Sequence, residues 1–432
     1  MPSDAQGNAA ERIRAGAELL ATAEEELMRR VDPARTYGRA VEEYQEALKH
    51  DPTSREARRG LAAALLKRAD ADETLQRDVP ERWDAAIAAL TEALMNEAGD
   101  SPLLLDRSHA WSMKGQCEAR HERDPDVSCR RAIDDAETAL RADPSAAIAY
   151  VRRADANLVL AEWKTGARKD ARAECVRALA DYDEAIRRGC ATVEVYLHRA
   201  MTHQTNGMAL EVVSKQSIPC YDRAIADFTE AIRLKPDRVP TYGERAGALM
   251  CKARAILLHG GDPLPVWEAA IRDLGATIAR SQGDPQAHLF RAKARMDIAQ
   301  CMSAPDLNPL PHILEALSDC GEALSLNPDY LMALELRAFL FKLKGDLEVR
   351  MEAEHEGSYG LALRDCRNAE ARGSISWLVY VAHGDASAAL GDKRDAVRAY
   401  RWLIKHAQLA PETRLEIEGR IRALLDGEDR DS

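Results

Sequence analysis

The sequence predicts an all-α protein, a single-file array of antiparallel helical hairpins. Two observations carry that prediction. Alanine recurs at intervals of 46 residues, at Ala40, Ala86, Ala132, Ala178, Ala224, Ala270, Ala316 and Ala362, and a fixed period of that length is the trace a stacked supersecondary unit leaves. Composition agrees: 46% of the 432 residues are hydrophobic but only 5% aromatic, and no alternating strand pattern stands out.

The second helix of each unit is the more legible one. Seven residues after each alanine of the ladder stands another small residue, Ala47, Ala93, Ala139, Ala185, Ala231, Thr277, Ala323 and Ala369. Positions i and i+7 share one helical face. Between them, at i+4, lie Tyr44, Leu90, Ala136, Tyr182, Phe228, Leu274, Cys320 and Cys366. Three residues before each alanine come Tyr37, Trp83, Cys129, Cys175, Tyr221, Trp267, Ile313 and Tyr359. The first helix carries its own small column, Gly16, Ala62, Ser108, Ala154, Ala200, Ala246, Ala292, Ala338 and Gly384, with Tyr150, Tyr196, Tyr242, His288, Leu334 and Tyr380 four residues earlier.

Breakers mark where the helices stop. Pro52, Pro144, Pro236 and Pro328 follow the second helices, since proline cannot continue a helix. Intervening units have Ala98, Cys190, Gln282 and Ser374 there, so proline returns every 92 residues, as a duplicated two-hairpin block would leave it. Turns inside the hairpins are read from Asp32-Pro33, Asp78-Val79-Pro80, Asp124-Pro125, Gly260 through Pro265, Pro305 through Pro311, and Glu356-Gly357-Ser358.

These columns resemble the tetratricopeptide family, whose unit pairs two antiparallel helices with small and aromatic residues at such positions. Ala224, Phe228, Ala231 and Pro236 match its second-helix series, as do Ala40, Tyr44, Ala47 and Pro52. The resemblance implies a right-handed α-solenoid with an inner groove lined by first helices. The small columns of the two helices stand 24 residues apart, as in Ala154 to Ala178, whereas the family spacing is about 12. Only the last unit, Gly384 to Ala396, keeps the family spacing. Turn signals near the middle of the extra length predict that both helices grow by roughly a turn and a half.

The array is expected to run continuously over residues 1–410 as about nine hairpins. A capping helix over 411–425 and an acidic disordered tail over 426–432 follow. A formal net charge of −12 argues against tracking a phosphate backbone, so nucleic acid is not an expected partner. No uncharged apolar run is long enough to span a bilayer, and Met1 to Arg14 has no signal-like apolar core. Nine cysteines without a CxxC pair read as small buried hydrophobes in a reducing compartment, which makes the expected location cytoplasmic.

Arginine and aspartate form two further columns in the same six units. Arg107, Arg153, Arg199, Arg245, Arg291 and Arg337 precede the first-helix small column; Asp135, Asp181, Asp227, Asp273, Asp319 and Asp365 lie three residues after the alanine ladder. Both are missing together in the second unit, as Leu61 and Ala89, and in the last, as His383 and Ala399. Joint gain and loss points to contact. The sequence therefore predicts six clips that fix the register of each hairpin, since a half-buried arginine without its carboxylate is costly. The other reading of the same columns is a ladder of anion sites.

No phosphate-loop, dinucleotide, nucleophile-elbow, HExxH or EF-hand pattern occurs. His121-Glu122 and His355-Glu356 lack a second histidine and read as solvated polar residues near turns, and no metal or cofactor is expected. What remains is surface. The family resemblance implies that residues one and five after the first-helix aromatic column look into the groove: Leu105, His109, Val151, Asp155, Leu197, Met201, Gly243, Gly247, Leu289, Lys293, Glu335 and Phe339, with Met250 and Met296 a turn further on. Each could equally be core. Chaperone-binding members hold a terminal carboxylate with lysine, asparagine and arginine at such positions, and Val151, Asp155, Leu197 and Met201 do not supply that clamp. The expected function is a non-enzymatic scaffold that binds a peptide or partner helix. The alternative is a regulatory subunit that controls a separate enzyme.

Overall fold

Each 46-residue period folds into two antiparallel helices because its small and apolar residues recur at helical spacing while its breakers fall between. A computed structural model describes residues 2–95, 97, 99–211, 216–281, 283–302 and 307–426. Among the described residues every regular element is an α-helix, and no helix is long and apolar enough to cross a membrane.

The chain forms two compact units, Met1–Lys235 and Pro236–Ser432. The first holds five hairpins: α1 (Pro2–Met28) with α2 (Ala34–His50), α3 (Arg55–Thr74) with α4 (Pro80–Met95), α5 (Ser101–Arg120) with α6 (Asp126–Ala142), α7 (Ala147–Gly166) with α8 (Arg172–Arg187), and α9 (Val193–Glu211) with α10 (Ser217–Leu234). The second holds α11 (Pro240–Leu258) with α12 (Leu264–Arg280), α13 (Pro285–Cys301) with α14 (Leu310–Leu326), α15 (Leu331–Arg350) with α16 (Glu356–Ala371), and α17 (Trp377–Ala389) with α18 (Lys393–His406). A nineteenth helix, α19 (Pro411–Asp426), closes it. Within each unit successive helices pack on one another, so both units are α-solenoids, and α19 lies on α18 as a cap.

The small and aromatic columns are the core. All eight residues of the alanine ladder are buried, and so are the columns three residues before and four and seven after it, together with the small column of the first helices. Small residues are there because rings press on them. A Cβ added at Gly16 would lie 2.9 Å from the Tyr44 ring, closer than van der Waals contact allows, and Gly384 meets Tyr400 in the same way.

The twelve extra residues divide unevenly. Comparing α5 and α6 with the short final hairpin, the first helix gains seven residues, 20 against 13, and the second gains three, 17 against 14. The remaining two lengthen the turn, which is 121–125 in the long hairpin and 390–392 in the last. The expected equal division is thus replaced by growth mainly of the first helix.

What fixes the turn is a left-handed residue that ends the first helix. Arg30, Gln76, Glu122, Arg168, Gly260 and Glu352 occupy the same register and all have φ between 52° and 75°. In each turn two amides return to the last helical carbonyls, as Glu122 N to Ala119 O (3.1 Å) and Arg123 N to Glu118 O (2.8 Å). Two residues later an Asp or Asn carboxyl or amide oxygen accepts from the first amides of the second helix: Asp32 from Ala34, Asp124 from Asp126, Asp170 from Arg172, Asp262 from Leu264 and Asn308 from Leu310. Second helices stop before Pro52, Pro144, Pro236 and Pro328, or at left-handed Gly189 and Gly373, which precede Cys190 and Ser374. Ala98, Gln282, part of the turn from Pro305, and all of the acidic tail after Asp426 lie outside the described residues.

Candidate partner-binding face

First helices stand side by side within a unit, α5 against α7 and α7 against α9, because each second helix lies behind its own first helix. Six of the residues expected to line a groove, Leu105, Val151, Leu197, Leu289, Met296 and Phe339, are buried in the core and offer nothing to a partner. Lys293 is exposed, while His109, Asp155, Met201, Gly243, Gly247, Met250 and Glu335 are half-buried. At Gly243 a Cβ would meet only Thr277 Oγ1 at 3.8 Å, so close packing does not require that glycine.

In the first unit the half-buried polar residues join into a ladder across four first helices. His109 Nε2 lies 2.7 Å from Asp70 Oδ1 on α3, and its Nδ1 is 3.3 Å from Arg152 Nη1 on α7. Since arginine can only donate, His109 Nδ1 accepts and Nε2 carries the proton. One turn on, Asp155 Oδ1 accepts from Tyr182 Oη at 2.7 Å and faces His198 Nδ1 on α9 at 2.9 Å. Burial alone would raise the Asp155 carboxyl, but His198 and Arg152 hold it below the usual range. Burial likewise opposes the His198 charge, and Asp155 overcomes it and draws that imidazole upward.

Two carboxylates on the same helices lie near cations but are bonded to none among the described residues. Asp106 on α5 and Glu162 on α7 have no hydrogen bond or ion pair to any described residue. Burial pushes Asp106 up, Arg152 and His109 offsetting part of it, and carries Glu162 to about 7, His198 offsetting part of that. In the second unit Asp297 on α13 is raised to about 6 by the same cause. A group in that condition gains from an incoming positive charge. Asp70, Asp106, Arg152, Glu162 and His198 were not singled out by sequence reasoning. The signal was nonetheless present: Asp106, Arg152 and His198 fall 46 residues apart, and Asp70 and Glu162 fall 92 apart.

No family model matches the chain, and no curated protein matches it. Solved structures do resemble it. A tetratricopeptide repeat protein from Parabacteroides merdae is 14% identical over 75% of this chain and 98% of its own, with a TM-score of 0.41. The C-terminal part of a TPR repeat-containing protein from Cytophaga hutchinsonii is 13% identical over 70% and 97%, with a TM-score of 0.43. Yeast Tom70 is 13% identical over 96% of both chains, with a TM-score of 0.37.

The arginine and aspartate columns meet inside each of the six hairpins that carry both. Arg107 binds Asp135 through Nε and Nη2 at 2.8 and 2.7 Å, Arg153 binds Asp181 at 2.8 and 2.7 Å, and Arg199 binds Asp227 at 2.8 and 2.6 Å. Arg245 with Asp273, Arg291 with Asp319 and Arg337 with Asp365 repeat the two-bond geometry. A third member joins several clips to the preceding hairpin: Arg107 donates to Thr91 Oγ1 (3.2 Å), and Arg199 to Asp183 Oδ1 (2.7 Å). The last hairpin, which lacks the arginine and aspartate, carries a substitute. Buried His383 places Nε2 2.9 Å from Asp395 Oδ2 on α18 and Nδ1 2.5 Å from Glu370 Oε1 on α16. The acceptor has moved one helical turn, from position 399 to 395.

A cavity of about 550 Å³ opens between α6, α7 and α8. Its charges are matched internally: Arg130 with Asp126 at 2.7 Å, Lys164 with Glu174 at 3.0 Å, Arg177 with Glu174 at 2.6 Å, and Arg153 in its clip. It presents no converging set of free donors.

Proposed function

We propose that the chain is a non-enzymatic scaffold of the tetratricopeptide type that binds a peptide or partner helix, one carrying lysine or arginine, on the first-helix face of its amino-terminal unit. The observation that carries this reading is Glu162, a half-buried carboxylate on α7 with no hydrogen bond or ion pair to any described residue, which burial raises to about 7 against a partial offset from His198. Asp106 stands in the same condition on the neighbouring helix, and a net charge of −12 favours approach of a cationic segment. A cytoplasmic location belongs to the proposal, supported by the free, buried thiols of Cys129, Cys175, Cys320 and Cys366.

The test is a fluorescence-anisotropy comparison of two helical peptides of equal length, one with lysine and arginine on its polar face and one with aspartate and glutamate. The basic peptide should bind, more weakly as salt rises. It should also expel a proton near pH 7, as Glu162 ionises on meeting a cation, which calorimetry in two buffers would read. Glu162→Gln should weaken binding roughly tenfold, equivalent to about 1.4 kcal/mol, and remove the proton release. Equal binding of both peptides, or an unchanged affinity in Glu162→Gln, would refute the assignment of this face.

A further inference from the structure

The geometry points to a site for a single divalent transition-metal ion of the zinc class, built from Asp78, Cys117 and His121 where the turn between α3 and α4 meets the end of α5. One donor atom from each of the three residues lies within 4.8 Å of the others. Cys117 Sγ is 3.5 Å from Asp78 Oδ1, about the separation of two ligands around a tetrahedral zinc with metal–sulfur and metal–oxygen bonds of about 2.3 and 2.0 Å. His121 Nε2 is 2.8 Å from Asp78 Oδ2, a contact that a bound ion would replace. The imidazole is already oriented for this. Its Nδ1 lies 2.9 Å from the Cys117 carbonyl oxygen and donates to it, the second-sphere arrangement that metal-bound histidines use, while Nε2, which donates to Asp78 Oδ2 in the metal-free chain, faces the site.

A second observation explains why Asp78 is available. Its register partners Asp32, Asp124, Asp170 and Asp262 spend a carboxylate oxygen on the amide two residues ahead. At this turn the residue two ahead is Pro80, which has no amide hydrogen. Asp78 is thereby released from capping and its oxygens face α5. The adjacent cation acts on it only through space, because Arg120 is bonded to both oxygens of Glu73 at 2.8 Å. Nor is the set a by-product of repetition. The Cys117 position recurs as cysteine only at Cys301, where the histidine position is Pro305, and the His121 position recurs as histidine only at His259, where the cysteine position is Ala255.

His121, expected as a solvated polar residue, is held between Asp78 and the Cys117 carbonyl, and the proposal gives it a directed role. Cys117 is buried, while Asp78 and His121 are partly exposed, which leaves an entry path and a fourth position for water. On binding, the Cys117 thiol and His121 Nε2 each give a proton to solvent, and the freed sulfur and nitrogen bond the metal. The ion would staple the second hairpin to the third.

Cobalt(II) added to the metal-free full-length chain, kept reduced, tests this directly. We expect one cobalt per chain, with a sulfur-to-cobalt charge-transfer band in the near ultraviolet and visible bands of tetrahedral intensity, all displaced by one equivalent of zinc. Cys117→Ser should abolish the charge-transfer band, and His121→Gln and Asp78→Asn should each weaken binding at least tenfold. Cys301→Ser should leave the band intact, and circular dichroism should show each variant folded. Absence of a thiolate band in the parent chain would overturn the inference. So would a band that survives Cys117→Ser or disappears in Cys301→Ser.

Discussion

At the scale of single residues, the clip between Arg337 and Asp365 shows what the repeated pairs do. Asp365 has no solvent exposure, and Arg337 grips it with Nε at 2.6 Å and Nη2 at 3.1 Å. Replacing the aspartate alone strands a half-buried guanidinium, whereas replacing both partners removes the charge with its counter-charge. Asp365→Ala should therefore lose about 3–5 kcal/mol, and adding Arg337→Leu should recover roughly half of that. Urea midpoints of the parent, the two single variants and the double variant close the cycle, and strictly additive losses would remove the clip as a stabilising pair. The pairing was legible because both columns vanish from the same units. The His383 substitute was not, since its acceptor sits a turn away from the column and its second acceptor, Glu370, belongs to the preceding hairpin. Burial disfavours the His383 charge, but Glu370 and Asp395 together raise that imidazole above its ordinary value. The final clip is accordingly the one that weakens as pH rises through the raised value, being fully formed below about 6.5.

At the scale of elements, small and aromatic columns told where helices are and which faces they bury, but not how the extra twelve residues divide. Both arms of the insertion are rich in alanine, arginine, glutamate and leucine, all good helix formers, so propensity is silent on which helix grows. The decision falls to the left-handed residue of the turn. Among the described residues of this register only Gly260 is the residue type such a conformation favours; Arg30, Gln76, Glu122, Arg168 and Glu352 look like ordinary helix. These side chains sit in a backbone conformation that disfavours any Cβ, which makes the turns correctable. Glu352 is exposed, with φ of 52°, and Glu352→Gly should raise stability by about 0.5–1 kcal/mol, the relieved strain exceeding the added freedom of the unfolded chain. A denaturant midpoint that falls instead, as it would for glycine inside a helix, would show that the turn does not hold this conformation in solution.

At the scale of the whole molecule, the division at Lys235 and Pro236 could not have been read from sequence, because Pro236 occupies the same register as Pro52, Pro144 and Pro328, which divide nothing. The cap was legible: a helix follows the only hairpin of ordinary length. In an array whose stability is a sum of neighbour terms, the last hairpin has one neighbour fewer unless something covers its open face. α19 does so with Ile417, which is buried against Ala396, Tyr400 and Leu403, and with Arg420, which reaches Asp385 on α17. Replacing Ile417 by aspartate puts a charge into that cluster, and the loss, about 2–4 kcal/mol, should be local. Hydrogen exchange should accelerate first in α17 and α18 and leave α11 to α14 at parental rates. Uniform acceleration through the carboxyl-terminal unit would mean that it unfolds as one cooperative block, and the nearest-neighbour description would then fail for these long hairpins.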